Sequence, residues 1–251
     1  MSDNVTFNNW FAQGGSDYAR YRPEYPAALG TYLANLATDR AKALDVGCGT
    51  GQLTGLLAEH FASVVGTDPS ASQLASAEPH PAVRYVLSPA ERLPDDFADF
   101  NLITVAQAAH WFDLDAFYRE ARRVSAPGGI LALISYGVMR LDDELQQRFQ
   151  TFYYDEIGPY WPAERQLVDD GYRTLMFPFT EIPTPAMSIN LAWPLEGLLG
   201  YISTWSAVKK AQDAGKSMLL EAFSQDIRRL WGNTETLRQI VWPINMRVGA
   251  L

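Results

Sequence analysis

Ala43-Leu-Asp-Val-Gly-Cys-Gly-Thr-Gly-Gln52 is a short apolar run that ends in three alternate glycines, Gly47, Gly49 and Gly51. Beyond them Leu53, Leu56, Leu57 and Phe61 recur at helical spacing and give the following segment one apolar face. Strand, glycine turn and helix in that order form a phosphate- or ligand-cradling unit, because residues without Cβ let a ligand approach the backbone. Nicotinamide enzymes set a pyrophosphate on such a turn, but with the spacing GxGxxG. Here the spacing is GxGxG, and Asp45 stands two residues before the first glycine. A carboxylate there disfavours a pyrophosphate and suits an ammonium group.

Outward from this turn the chain alternates between strand and helix, the pattern of a parallel sheet covered by helices on both faces. The apolar runs Lys42-Gly47, Ser63-Asp68, Val83-Ser88, Phe100-Gln107 and Gly129-Tyr136 read as its strands. Ser70 and Asp113 are placed to cap two of the intervening helices, and Pro127-Gly128-Gly129 is expected to stop the second. Right-handed crossovers bring the strands side by side. Asp68 ends the second strand, 21 residues after Gly47, where a carboxylate can accept both hydroxyl hydrogens of an adenosine ribose. An aspartate before Pro69-Ser70 also serves as an ordinary turn or cap residue, and only the glycine turn upstream favours the ribose.

After Tyr136 the pattern changes to long helical stretches rich in aromatics, with two later strands expected near Phe179-Ile182 and Gln239-Val248. Pro243 is a difficulty for the last of these, since a proline removes a ladder hydrogen bond. One helix is expected from Pro194 through Leu195, Leu198, Leu199, Ile202 and Trp205, and another after Gly215 through Leu219, Phe223, Ile227 and Leu230. Together they are expected to cover the carboxyl edge of the sheet. The organisation is thus read as a single domain over 1–251: a helical segment at 1–40, a ligand-binding core at 41–137, and a helical cap with the last two strands at 138–251.

Composition narrows the classes. With 47% apolar and 20% charged residues the chain is an ordinary globular protein. Its formal charge of -9 and pI near 4.8 oppose binding to a phosphate backbone or an anionic membrane, so neither nucleic acid nor membrane is expected as a partner. The first ten residues lack the basic start and apolar run of a signal peptide, which leads us to expect a cytoplasmic protein. Cys48 is the single cysteine, and His60, His80 and His110 show no metal-ligand spacing with it, so no disulfide and no metal are expected.

Taken together, "ALDVGCGTG", "VVGTD", "SPAERLP", "FNLITVAQAAHWFD" and "ARRVSAPGGILAL", spanning 43–133, resemble the class I S-adenosylmethionine-dependent methyltransferases. "AQAAHWFD", together with "DYARYRPEYP" at 17–26 and "WPINMRVG" at 242–249, is similar to the subgroup related to trans-aconitate methyltransferases. The resemblance implies a Rossmann-like, mostly parallel sheet of seven strands with the helical cap inserted among the C-terminal strands. It also implies S-adenosylmethionine as cofactor, which carries an ammonium and a sulfonium and no phosphate, and a small-molecule methyl acceptor. By resemblance Gly47, Cys48 and Gly49 contact the methionine portion, with Asp45 behind them; Asp68 holds the ribose and Pro69 borders the adenine. Ala90 and Glu91 border the adenine from the other side. Many family members carry an aspartate two residues before such a glutamate, where this chain has Pro89, so recognition of the adenine amino group falls to backbone groups or Glu91. Ala106 and Gln107 lie below the methyl group, with His110 and Trp111 facing the acceptor.

Tyr18, Tyr21, Arg22 and Tyr25 form by resemblance a lid in which Tyr18 or Arg22 reaches the cofactor's carboxylate. The same aromatics, set before Pro23 and Pro26, equally suit an anchor for the first helix. His110 is the one evident candidate for a catalytic base, and it is as readily a wall of the acceptor site. A carboxylate acceptor would need no base but a cation, for which Arg22, Arg140 and Arg247 are candidates. Two other classes remain in view, a nicotinamide-dependent oxidoreductase and a noncatalytic cofactor-binding scaffold. The oxidoreductase would prefer GxGxxG, whereas a scaffold would differ little in sequence from an active enzyme.

Overall fold

The computed structural model describes residues 23–251. One compact unit gathers residues 24–139, 163–189 and 242–251, and a second comprises, of the described residues, 23, 140–162 and 190–241. The chain forms a seven-stranded sheet in the order β3-β2-β1-β4-β5-β7-β6. β1 (Lys42–Val46), β2 (Ser63–Asp68), β3 (Val83–Leu87), β4 (Phe100–Ala106) and β5 (Ser125–Tyr136) run parallel, and β7 (Arg238–Ala250) is antiparallel to β5. β6 (Met187–Trp193) lies at the far edge.

Four of the five expected parallel strands match to within a residue. β5 starts earlier, at Ser125, because helix α4 (Leu114–Val124) ends before Pro127 and the chain pairs at once with Phe100; an irregularity in the ladder then absorbs Pro127-Gly128-Gly129. β1 is buried from Ala43 through Val46, as befits a strand covered on both faces. Leu44 and Val46 join the core cluster of Phe117, Ala121 and Val124 from α4. The alternate residues Ala43 and Asp45 therefore face the other side, where α1 (Ala27–Leu36) packs on α2 (Gln52–Ala58): a Cβ on Gly30 of α1 would meet Leu56 at 2.8 Å. Both expected caps form: Ser70 Oγ accepts the Gln73 N–H at the start of α3 (Ala71–Ala75), and Asp113 Oδ1 accepts that of Ala116.

The sixth strand corrects the sequence reading. Residues 179–182 contribute only an isolated bridge, Glu181 to Gly249, and β6 forms instead at Met187–Trp193. Pro183 and Pro185 cut short the earlier run. The observed strand carries a legible pattern, since Met187, Ile189, Leu191 and Trp193 alternate with Ser188, Asn190 and Ala192. Pro243 lies inside β7 but one residue past the paired stretch that ends at Tyr136–Ile244. Its carbonyl still accepts the Gly137 N–H at 2.9 Å, so the ring removes only the return bond of one pair.

In the second unit α5 (Asp143–Gln150) continues as a π-helix over Thr151–Glu156, followed by α7 (Leu195–Ser203), α8 (Ser206–Asp213) and α9 (Met218–Trp231). α6 (Arg165–Asp169) belongs to the sheet unit. Phe152 stacks on Phe223 with centroids 4.1 Å apart, and Arg148 bridges Asp226 and Glu156. α8 is additional to the two helices expected there. The apolar stripe of α9 runs through Phe223, Ile227 and Trp231, whereas Leu230 is 37% exposed.

Phe223→Ala should therefore lower stability by about 3–5 kcal/mol, and Leu230→Ala by less than about 1 kcal/mol. Urea unfolding of the two variants checks this; equal losses would place the face of α9 wrongly.

Candidate active site

The turn after β1 is held from two sides. The N–H groups of Gly47 and Cys48 both donate to the Thr67 carbonyl, at 2.7 and 2.9 Å, and the Gly49 N–H donates to Asp68 Oδ2 at 2.9 Å. Asp68 Oδ1 accepts the Ser70 N–H at 2.8 Å, so one carboxylate ties the glycine turn to the start of α3. Two of the glycines are required by space as well as by conformation. Gly47 (φ +70) would place a Cβ 2.6 Å from that of Ala108, and Gly51 (φ +84) one 2.1 Å from the Tyr85 hydroxyl. Gly49, by contrast, has nothing nearer than Gln73 Oε1 at 3.9 Å beside a Cβ, which leaves a cradle open there. Because β1 and β4 are neighbours from which the strand order runs in opposite directions, the turn sits at the switch point of the sheet, at the strands' carboxyl ends, where open α/β sheets bind ligands.

Asp45 is 1% exposed and lies on the inner side of this turn. Thr54 Oγ1 of α2 donates to its Oδ2 at 2.7 Å and Thr104 Oγ1 of β4 to its Oδ1 at 2.9 Å. Burial pushes its carboxyl up to about 6, the two threonine hydrogen bonds oppose that rise, and the charge of Asp68 adds to it. The negative field of the pair is felt by its neighbours. Burial and then the charges of Asp45 and Asp68 drive the Cys48 thiol far above its ordinary range, which disfavours the thiolate. Tyr85 is pushed up to about 12 by burial, then by Cys48, Asp45 and Glu78.

Of the other candidate positions, Pro69 is exposed and Ala90 buried. Ser88, after β3, donates its N–H to the Asp68 carbonyl and its hydroxyl to the carbonyls of Pro89 and Arg92, fixing the loop that carries Ala90 and Glu91. Glu91 Oε1 accepts the Asp113 N–H at 3.1 Å, tying that loop to the start of α4. Ala106 ends β4, and Gln107 adopts φ +58, a left-handed conformation unusual outside glycine, held by bonds to the carbonyls of Ile134 and Tyr136. Tyr18 and Arg22 lie outside the described residues; Tyr25 packs edge-on to Tyr136.

His110 sits on a single 3-10 turn, Ala109–Trp111, beside the 42%-exposed Trp111 ring. Its Nδ1 lies 2.8 Å from the Tyr172 hydroxyl. Burial, followed by the charge of Arg165 on α6, lowers its pKa to about 3, so the ring is neutral at physiological pH. Sequence reasoning misses Tyr172, Arg165, Thr54 and Thr104. The two threonines carry a weak mark, being polar positions on otherwise buried elements, but nothing local connects Tyr172 to His110 across 62 positions. Arg247, a candidate cation, is held by Glu181 and by the carbonyls of Tyr172 and Leu175, so from β7 it braces the segment 172–181. Arg140 is exposed.

A cationic ligand with no phosphate suits a turn flanked by two buried carboxylates. Residues 44–133 match the family model described as a methyltransferase domain. A Dictyostelium discoideum protein described as a methyltransferase is 33% identical over 247 residues, covering 96% of this chain and 94% of its own. A solved structure described as a type II methyltransferase from Anaeromyxobacter dehalogenans is 41% identical, with a TM-score of 0.85 over 92% of this chain and 98% of that one. Trans-aconitate 2-methyltransferase of Variovorax paradoxus is 39% identical over 122 residues, about half of each chain. The chain belongs to the class I S-adenosylmethionine-dependent methyltransferases, and its cofactor is S-adenosylmethionine.

A carboxyl whose folded pKa lies above its unfolded value of about 4 stabilises the fold most when protonated, and that contribution is lost as pH rises through about 6. Asp45→Asn removes this titration. Between pH 5 and pH 8, in urea unfolding without cofactor, the variant should gain on the wild type by on the order of 1 kcal/mol; a pH-independent difference would mean that Asp45 is ionised throughout.

Proposed function

We propose that the enzyme methylates a carboxylate oxygen of a small organic acid. The observation that carries this reading is the setting of His110: its Nδ1 is tied to the Tyr172 hydroxyl, and burial followed by the charge of Arg165 opposes the imidazolium, which makes the ring a poor base for a phenol or an ammonium group. An acid with a pKa of about 4 is already ionised at neutral pH and needs no such help. The Variovorax relative's name denotes an acid of this kind.

S-adenosylmethionine, when bound, supplies an activated methyl group on its sulfonium, and the acceptor oxygen bonds to that carbon as the carbon–sulfur bond breaks. The backbone at Gly47, Cys48 and Gly49 receives the methionine portion, with Asp45 and Asp68 supplying the negative field for its ammonium and sulfonium. Asp68 has acceptor capacity left beyond its two amide bonds, and it takes the ribose hydroxyls. Pro69, Ala90 and Glu91 flank the adenine. Ala106 and Gln107 border the methyl group, and His110 with Trp111 line the acceptor side. Tyr18 and Arg22 belong to this reading as the closing segment. The charge of Arg165 reaches His110 and Tyr172 and adds a cation on that side. Alignment and exclusion of water are then the main contributions of the protein. The negative field disfavours the nicotinamide alternative, because a pyrophosphate would meet two carboxylates at the turn.

Calorimetry should find S-adenosylmethionine and S-adenosylhomocysteine bound and NAD and NADP not bound at comparable concentrations. Asp68→Ala should weaken the first two by roughly 10- to 100-fold, through lost ribose bonds and a released Gly49 amide; unchanged affinity in a folded variant would leave Asp68 as a turn residue alone.

Incubation of a panel of di- and tricarboxylic acids with labelled cofactor should yield methyl esters, and a protein that binds cofactor but methylates nothing would be a scaffold. At saturating cofactor the single-turnover rate should stay nearly flat from roughly pH 6 to 8, since no free histidine near 6.5 takes part. A rate that climbs through pH 6.5 and loses that slope in His110→Gln would make His110 a base and reject the carboxylate reading.

A further inference from the structure

We propose that Tyr172 is a positioning residue that fixes the tautomer of His110, so that the imidazole presents its Nε2–H as a hydrogen-bond donor to an oxygen of the acceptor. A phenolic hydroxyl has one hydrogen to give and two lone pairs to receive with. Among the described residues His110 Nδ1 is the one hydrogen-bond partner of the buried Tyr172 hydroxyl, and the backbone N–H groups of Ala109 and His110 favour negative charge on its oxygen. These are the leading donors of the 3-10 turn, which have no partner within the turn itself. The hydroxyl hydrogen of buried Tyr172 needs an acceptor, and the one within reach among the described residues is His110 Nδ1, 2.8 Å away. Nδ1 is therefore the acceptor of the ring, and its single proton resides on Nε2.

The same geometry explains why the ring stays neutral. A second proton would have to enter at Nδ1, where it would deprive the buried Tyr172 hydroxyl hydrogen of its one acceptor among the described residues. The charged group that α6 brings toward the ring is Arg165, itself bonded to Asp169 Oδ1 at 2.8 Å, and its positive charge acts in the same direction. Tyr172 cannot rotate away easily: it is buried, held at φ +60 just after Gly171, and its carbonyl is bonded to Arg247. Among the described residues nothing accepts from Nε2, which leaves that N–H for a ligand. The donor's partner, a carboxylate oxygen, rests on the proposed function; the tautomer does not.

The tautomer is read directly by long-range proton–nitrogen NMR of the imidazoles in the full chain, with His110→Gln used to assign the His110 signals. From pH 8 to 5 the expected pattern is a bare Nδ1 and a protonated Nε2 with no titration. In Tyr172→Phe both tautomers should appear and the ring should titrate at higher pH than in the wild type. A protonated Nδ1, a wild-type ring that titrates between pH 6 and 7, or a Tyr172→Phe ring identical to wild type would each overturn the assignment, and the wild-type spectrum alone can do so if the variant fails to fold. The donor role is read with the acid from the panel that the wild type methylates fastest. His110→Gln, whose amide nitrogen stands near the position of Nε2, should keep KM within a few-fold, whereas His110→Asn should raise it roughly 10-fold or more. Equal KM values in the two variants would remove the donor role. If no acid is methylated the proposed function fails, while the tautomer is still judged by its spectrum.

Discussion

Two threonine hydroxyls hold the buried carboxylate of Asp45, one from the helix after the glycine turn and one from the neighbouring strand β4. Through this one side chain β1, α2 and β4 are locked at the point where the sheet reverses its strand order. The arrangement is costly by itself, because burial penalises the charged form of a carboxyl that is 1% exposed. An apolar residue would close the core more cheaply. What the carboxylate adds is a negative field immediately behind backbone that a ligand can touch, and a cation bound there would draw its pKa back toward the ordinary range. On the proposed reading, that electrostatic cost is the complement of the charge on the cofactor.

Asp68 extends the same logic to the outer side of the turn. Its two oxygens bond the Gly49 and Ser70 amides, and its own carbonyl receives the Ser88 N–H, so the ends of β1, β2 and β3 are fixed relative to one another by a single residue. On the opposite side Gln107 is held in a left-handed conformation as β4 ends. Unusual backbone thus borders the switch point on both sides, at Gly47 and at Gln107, and Gly47 has no room for a Cβ because Ala108 is already there. Local strain of this kind persists where surrounding bonds over-determine it, as the Ile134 and Tyr136 carbonyls do for Gln107.

What can be read from sequence divides along physical lines. The parallel strands are legible because each is a short apolar run buried on both faces, and the glycine turn because its spacing constrains backbone directly. Ser70 and Asp113 are legible as caps because capping is a matter of three residues. β6 lies a few residues beyond its expected place although its alternation is regular; the apolar run before Pro183 competes with it. The roles of Thr54, Thr104 and Tyr172 are not legible, because they depend on side chains that meet only once the sheet has formed. The same is true of Arg247, whose free charge in the sequence is spent on Glu181 in the fold.

That difference matters most at His110. From sequence it is a histidine after the fourth strand, and such a residue invites assignment as a base. In the fold its Nδ1 is the one partner, among the described residues, of a buried tyrosine hydroxyl, and the charge of an arginine acts on both. Each of these contacts disfavours the imidazolium, so the ring has lost the property that makes histidine a proton carrier and kept the one that makes it a rigid donor. An enzyme whose acceptor arrives ionised has no use for a base, but it does need a donor that stays neutral and fixed across the physiological pH range. On the proposed reading a desolvated histidine clamped through Nδ1 meets that requirement, since its one N–H is then at Nε2, for which no acceptor is found among the described residues.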